Sequence, residues 1–359
     1  MKRIVLTGGG TAGHVSPNQA LIPLLLRDGW EIHYIGTKTG IERTLIEPIA
    51  GVTYHPVSSG KLRRYFDLKN FTDPFRVIAG FFQCASLMRR LRPNVLFSKG
   101  GFVSVPAVYG AALFRVPVVI HESDLTPGLA GKLTKPFAAR ICATFPECAE
   151  SLGPKAKHTG TPLRQALFTG SRERGLALCG FSGERPVLLM TGGSLGAQSV
   201  NAVLREALPE LTKTYDVCHL CGRGNADPSL SSFPGYRQFE YLTEELPDVF
   251  AAADLVLSRA GSNSLSELMA LKKPMLLVPY HSGRGDQVQN AASLKARGLA
   301  HVLPQGELTA TRLTEEIALL AADAENLRAR LRAEPDANGT EAVYAEILSC
   351  MRKEDQAKA

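Results

Sequence analysis

The chain writes one structural scheme twice: a short apolar strand, a glycine turn, then a helix. "RIVL" runs into Thr7-Gly8-Gly9-Gly10 and "PVLLM" runs into Thr191-Gly192-Gly193-Ser194. Around these, apolar runs alternate with helix-length segments: "EIHYIG", "VLFSKG", "PVVIHE" and "RICAT" in the first half, "DVCHLCG", "DLVLSRAG", "PMLLVPY" and "AHVLP" in the second. Strands separated by helices pair in parallel, and a parallel sheet needs helices over both faces. The expected class is α/β, with two Rossmann-like halves facing one another across a cleft. The length of 359 residues also exceeds one domain of ~100–200 residues. The Gly-, Pro- and Lys-rich stretch "LGPKAKHTGTPLRQAL" places the junction near 155–165. Residues 1–160 then form the first domain and 161–359 the second, with the last helices able to return to the first.

A glycine turn feeding a helix presents backbone N–H groups and the positive helix end, so it suits phosphate. Gly8, Gly10 and Gly13 spell G-x-G-x-x-G, the nominal dinucleotide fingerprint. An NAD site also needs an acid at the end of the second strand, and "EIHYIGTKTG" offers Gly36 and Thr37 there. His14, just inside the first helix, is either structural or within reach of a ligand on the turn. In "SRAGSNSLSEL" (258–268), Ser264 to Glu267 fits a capping box, and Glu267 equally suits ribose hydroxyls beside a phosphate-binding helix start. "PYHSGRGDQVQNAASL" adds Asp286, Gln287 and Asn290 at the next strand-to-helix junction. Polar groups gathered on successive strand ends suit a nucleotide sugar. In the first half, "SKGGFVSVP" is a third glycine turn, and "VVIHESDLTPGLAGKL" puts His121, Glu122 and Asp124 at a strand end. That trio suits acceptor binding or general-base work better than metal, since neither D-x-D nor H-E-x-x-H occurs.

Charge divides the chain. Residues 1–160 hold 20 Lys and Arg against 10 Asp and Glu, a net +10, within a total of +7. Such asymmetry points to an anionic partner of the first half. The segment 60–93 interleaves Lys61, Arg63, Arg64, Lys69, Arg76, Arg89, Arg90 and Arg92 with Tyr65, Phe66, Phe71, Phe75, Phe81 and Phe82, and Phe75, Ile78 and Phe82 recur at helical spacing. Part of this is a helix packing on its own sheet. The basic, aromatic-flanked remainder suits peripheral binding to an anionic inner membrane surface rather than nucleic acid. No apolar run reaches the ~20 residues of a membrane span, and no signal peptide is expected at "MKRIVLTGGG". Seven scattered cysteines read as reduced cytosolic thiols, and Cys218-His-Leu-Cys221 as packing.

Six motifs in order, "GGGTAGHVSPNQAL", "SKGGFVSVPAV", "HESDLTPGLAGKL", "TGGSLGAQSVN", "SRAGSNSLSEL" and "RGDQVQNAASL", resemble those of the MurG family of bacterial N-acetylglucosaminyltransferases, over nearly the whole chain. The resemblance implies a GT-B fold. No cofactor or metal site is expected, and the basic first half places the protein at the cytoplasmic face of the cell membrane as a peripheral protein. The resemblance also implies transfer of N-acetylglucosamine from UDP-GlcNAc to lipid I, with inversion to a β-1,4 bond, giving lipid II for peptidoglycan synthesis. By motif, Thr11, Ala12 and Gly13 would border the donor's phosphates and sugar, and Arg164 and Ser194 would bind its diphosphate region. Leu242 would offer backbone groups to uracil, Ser262, Asn263, Ser264 and Glu267 would hold phosphate and ribose, and Gln287 would meet sugar hydroxyls. Two positions depart from the pattern. Phe102 stands where many members have Tyr, and Asp124 replaces an Asn found in some, leaving open whether that loop meets donor or acceptor. His14 and Asp124 are the candidate bases. The alternatives are a glycolipid synthase of the same fold and a non-catalytic sugar-nucleotide-binding protein.

Overall fold

The computed structural model describes residues 2–60, 69–193, 196–281 and 284–351, with side chains from Phe75 onward in the helix that begins at Lys69. It divides into two compact units, one of residues 1–164 and 338–359, the other of 165–337.

The first unit alternates β1 (Arg3–Thr7), α1 (Ser16–Arg27), β2 (Glu31–Thr37), α2 (Ile41–Ile46), β3 (Val52–Val57), α3 (Lys69–Leu91) and β4 (Val95–Ser98). It continues through α4 (Ser104–Leu113), β5 (Val118–Glu122), α5 (Leu129–Thr134), β6 (Arg140–Ala143), α6 (Pro146–Leu152) and β7 (Ala156–His158). The strands form one parallel sheet in the order β3-β2-β1-β4-β5-β6-β7. Val95 and Phe97 of β4 and Ile4 and Leu6 of β1 are wholly buried, because a parallel sheet is covered on both faces. Each such side chain contributes roughly 1.5–3 kcal/mol of apolar burial.

The second unit repeats the plan: α7 (Arg172–Cys179), β8 (Val187–Thr191), α8 (Gln198–Leu211), β9 (Asp216–Leu220), β10 (Tyr236–Phe239), α9 (Leu246–Ala252) and β11 (Leu255–Ser258). There follow α10 (Ser262–Ala270), β12 (Met275–Leu277), α11 (Asp286–Ala296), β13 (His301–Val302) and α12 (Ala310–Ala333). Its parallel sheet runs β10-β9-β8-β11-β12-β13. Leu313, Ile317, Leu320 and Leu327 of α12 complete this unit's core beside Val217 and Leu257.

The last two helices part. α12 stays with the second unit, whereas α13 (Thr340–Ser349) packs Val343 and Ile347 into the core of the first. The Trp30 indole N–H donates to the Tyr344 hydroxyl (3.0 Å), which donates to Asp28 (2.7 Å), and Lys157 meets Glu346 at 2.9 Å. In each sheet the strand order reverses beside the first strand, since β1 lies between β2 and β4 and β8 between β9 and β11. Loops leaving the carboxyl ends of those strands are where open α/β sheets bind ligands.

Candidate active site

In the first unit two glycine loops nest against each other. The loop after β1 passes through Gly8–Gly10, Thr11 is extended, and Ala12–His14 make one 3-10 turn before α1. The loop after β4 turns at Gly100 and Gly101, both with positive φ. A Cβ on Gly101 would lie 2.2 Å from the Gly9 carbonyl oxygen, and one on Gly10 would lie 2.7 Å from the Phe102 ring. Only glycine allows this contact.

Glu42 anchors the first loop from α2. Fully buried, its carboxylate accepts from the Gly10 N–H (3.1 Å), the Thr37 N–H (3.0 Å) and the Thr37 hydroxyl (2.6 Å). The Tyr34 hydroxyl donates to the Gly8 carbonyl at 2.6 Å. The acid nearest the end of β2 is thus engaged by the loop's own backbone.

His14 ends the 3-10 turn with its ring beside Gly100, and its Nδ1 is buried with no hydrogen-bond partner. Burial pushes its pKa down to about 4, the Lys99 cation pushes the same way, and the Lys99 backbone and Glu42 oppose them. The ring is neutral at physiological pH and keeps a lone pair for a proton. His121 is in a like setting, its Nδ1 also buried with no hydrogen-bond partner. Its Nε2 donates to the Gly160 carbonyl at 2.9 Å, and burial with the nearby Lys99 holds its pKa well below the usual value. Asp124 is half-buried one residue beyond Ser123, whose hydroxyl accepts from the Lys99 ammonium. His14 and Asp124 thus both adjoin Lys99, through electrostatic contact with it. Thr11 is exposed, Ala12 and Gly13 are half-buried, and Arg164 lies exposed at the end of the first unit's main segment.

In the second unit, α10 starts at Ser262 with Gly261 as its N-cap and no side chain capping it. This corrects the capping-box account of Ser264 and Glu267: Glu267 sits too far along the helix to close such a box. Glu267 is half-buried, as are Ser262, Asn263 and Ser264 in the first turn. Gln287, on the first turn of α11, accepts through Oε1 from the N–H groups of Ala260 (3.3 Å) and Tyr280 (3.0 Å). The buried Asn290 donates to the Ala260 carbonyl at 3.3 Å. Arg259 donates to the Val278 carbonyl (3.0 Å), Gln305 (2.7 Å) and the Ser199 hydroxyl at the start of α8 (2.9 Å), with its guanidinium over the Tyr280 ring. The loops after β8, β11 and β12 are therefore tied into one edge. Leu242 is half-buried in the loop after β10, and Ser194 lies outside the described residues. The free Cys218 thiol donates a hydrogen bond to the Cys179 sulfur, while the Cys221 thiol donates to the Phe239 carbonyl, so the two serve separate packing contacts.

Lys99 and Arg259, inside the motifs "SKGGFVSVPAV" and "SRAGSNSLSEL" but given no role from the sequence, and Glu42, outside every motif, are site-building residues that the fold adds. Lys99 had one sequence signal, a lysine closing the apolar run "VLFSK". Glu42 follows Gly40 in the way of a loop anchor, and only the fold shows which loop.

Two family models match: the glycosyltransferase family 28 N-terminal domain over residues 4–143 and its C-terminal domain over 187–344. A relative from Clostridium kluyveri is 54% identical over 320 residues, covering 88% of this chain and 90% of its own. It is a UDP-N-acetylglucosamine--N-acetylmuramyl-(pentapeptide) pyrophosphoryl-undecaprenol N-acetylglucosamine transferase. A second transferase of that name, from Bacillus cereus, is 51% identical over 96% of this chain and 97% of its own. The crystal structure of Acinetobacter baumannii MurG shares the fold with a TM-score of 0.78 at 22% identity, over 97% of this chain and 100% of that one.

Proposed function

The chain belongs to glycosyltransferase family 28, and from that premise we propose that it is the N-acetylglucosaminyltransferase that converts lipid I to lipid II. The observation that carries this reading is the likeness at 51–54% identity, nearly end to end, to transferases of that activity. UDP-GlcNAc is the donor, and the muramoyl hydroxyl of lipid I is the acceptor. That oxygen attacks the anomeric carbon as the bond from carbon to the diphosphate breaks, the electron pair leaves with UDP, and the configuration inverts. His14, neutral at physiological pH, takes the hydroxyl proton. The α10 start and Arg164 stabilise charge gathering on the diphosphate. Ser262–Ser264 and Glu267 hold phosphate and ribose, Ser194 the diphosphate, and Leu242 the uracil. Gln287 directs its amide N–H to the sugar hydroxyls, since its oxygen is engaged by Ala260 and Tyr280. Thr11, Ala12 and Gly13 border the transferred sugar, and Asp124 orients the acceptor.

The test is transfer from radiolabelled UDP-GlcNAc to a short-chain lipid I analogue, with diacylglycerol as a parallel acceptor. Label in the lipid I analogue is expected. Label only in diacylglycerol identifies the glycolipid synthase, and folded protein that binds UDP-GlcNAc without transfer to either is a silent binder. On the donor side, Glu267→Ala is expected to weaken UDP binding by about 1–3 kcal/mol, the range for a hydrogen bond to a charged group. Titration calorimetry reads this directly. Unchanged affinity would return Glu267 to a purely structural part.

The same protein acts at an anionic membrane surface through α3. Phe75, Ile78 and Phe82 are 73%, 54% and 65% exposed along one stripe of that helix, while Cys84, Ala85 and Met88 bury the other side. Arg76, Arg89 and Arg90 flank the stripe. Lys61, Arg63, Arg64, Tyr65 and Phe66 lie outside the described residues. Among the described residues no helix is long and apolar enough to cross a membrane. The proposed contact is peripheral, on the cytoplasmic face where the nucleotide donor is made. Burying one phenylalanine is worth ~1.5–3 kcal/mol, so Phe75→Ser with Phe82→Ser should lower binding to anionic vesicles about 100-fold or more. Activity on a soluble acceptor should stay within about twofold. Vesicle sedimentation indifferent to lipid charge, salt and these substitutions would leave α3 as a packing helix only.

A further inference from the structure

Lys99 is 1% exposed, one of the largest fully buried side chains of the protein. Its backbone already completes the sheet, the N–H donating to the Thr7 carbonyl at 2.9 Å. Its Cβ lies against Gly8 of the first glycine loop. Nothing in the packing requires a charge there. A methionine would match its length without the penalty of burying an ammonium. The ammonium instead leaves the sheet and donates to Ser123, which begins the loop after β5.

We propose that Lys99 is a positioning residue of the transfer reaction, its buried ammonium binding the loop of Ser123 and Asp124 to the end of β4 and setting the electrostatic environment of His14. The proposal rests on the reading of the chain as a glycosyltransferase with His14 as base.

The charges around Lys99 come from three elements and leave one balance. Glu122 and Asp124, at the end of β5 and beyond it, favour the ammonium. His14 at the 3-10 turn and His121 on β5 are both held towards the neutral form by it. Glu42, from α2, acts on His14 in the opposite sense. Burial outweighs the two carboxylates and brings the Lys99 pKa down to about 8. Lys99 is therefore charged at neutral pH, and its charge disappears as pH rises through about 8. Loss of that charge frees the Ser123–Asp124 loop and removes the cation beside His14. Activity should fall on the alkaline side for that reason.

The experiment uses the full chain, with turnover of UDP-GlcNAc on the lipid I analogue measured from pH 5 to 10. Lys99→Met is expected to lower kcat at pH 7 about tenfold or more, with KM for UDP-GlcNAc within about twofold, because loose positioning acts on the chemical step. The alkaline limb near pH 8 should vanish in the variant, whose rate should match the wild-type plateau at high pH. The His14 ring, followed by nitrogen NMR, should protonate about one pH unit higher once the neighbouring cation is gone. Ser123→Ala keeps the lysine and removes its partner, so its alkaline limb should move to lower pH. That variant also serves should Lys99→Met fail to fold. A rate within threefold of wild type, or a loss of rate with the alkaline limb intact, overturns the proposal. So does a His14 titration that Lys99→Met leaves in place. Wild-type protein unable to transfer to the lipid I analogue would count against the glycosyltransferase reading instead, while the His14 titration would still decide the part of Lys99.

Discussion

His14→Ala is expected to lower turnover by about 10²–10⁴, the usual contribution of a general base, while UDP affinity changes far less. That loss corresponds to ~3–5.5 kcal/mol of barrier. The asymmetry follows from where the imidazole acts: it meets a proton that moves only in the transition state, so its removal enters kcat rather than ground-state binding. The pH dependence has a definite sign. Burial holds the ring neutral down to about 4, so wild-type activity should be lost as pH falls through that value, where the imidazole gains its proton and can no longer take another. That acid limb should be missing from His14→Ala. Turnover within about threefold of wild type, less than 1 kcal/mol, would remove His14 as the base and leave Asp124 as the candidate.

The interior of both sheets was legible because a strand covered on both faces is a continuous apolar run. "RIVLT", "VLFS" and "PVLLMT" can be little else. The strands missing from the sequence reading are β3, β7 and β10, and all three are edges of their sheets. An edge strand has one unpaired side, so "VTYHPV", "AKH" and "YRQF" carry polar residues and, in β3, a proline. The glycine turns were legible for a related reason, since their positions pack backbone against backbone. Their supports were not. Glu42, Lys99 and Arg259 act on loops 32, 24 and 60 residues away in sequence, at Gly10, Ser123 and Ser199, and no local pattern records such distances. Glu267 illustrates the reverse error. Its spacing from Ser264 fits a cap, but the cap position lies three residues earlier, at Gly261, and the helix begins at Ser262.

The second large effect belongs to Glu42→Ala. The wild-type carboxylate is fully buried and holds two backbone N–H groups and one hydroxyl, with glycines 9, 36 and 40 crowding it so closely that no other side chain fits around it. Removing it leaves the N–H groups of Gly10 and Thr37 facing a void. Each unsatisfied buried group costs roughly 1–3 kcal/mol, and the void adds to that, so about 3 kcal/mol or more is expected. For a unit of this size the melting temperature should drop by about 6–12 °C, measured by calorimetry. Glu42→Gln should lose less, because its carbonyl oxygen still accepts one N–H while its amide N–H₂ confronts another. UDP affinity should fall less than turnover in both variants, since the groups assigned to the uracil and ribose lie in the other unit. The loop that carries Thr11 to His14 would lose its anchor, so turnover should fall along with stability. A melting temperature within about 2 °C of wild type would mean that the loop keeps its shape without the carboxylate. Its form would then come from the nesting of Gly9 and Gly10 on Gly101 and Phe102 alone.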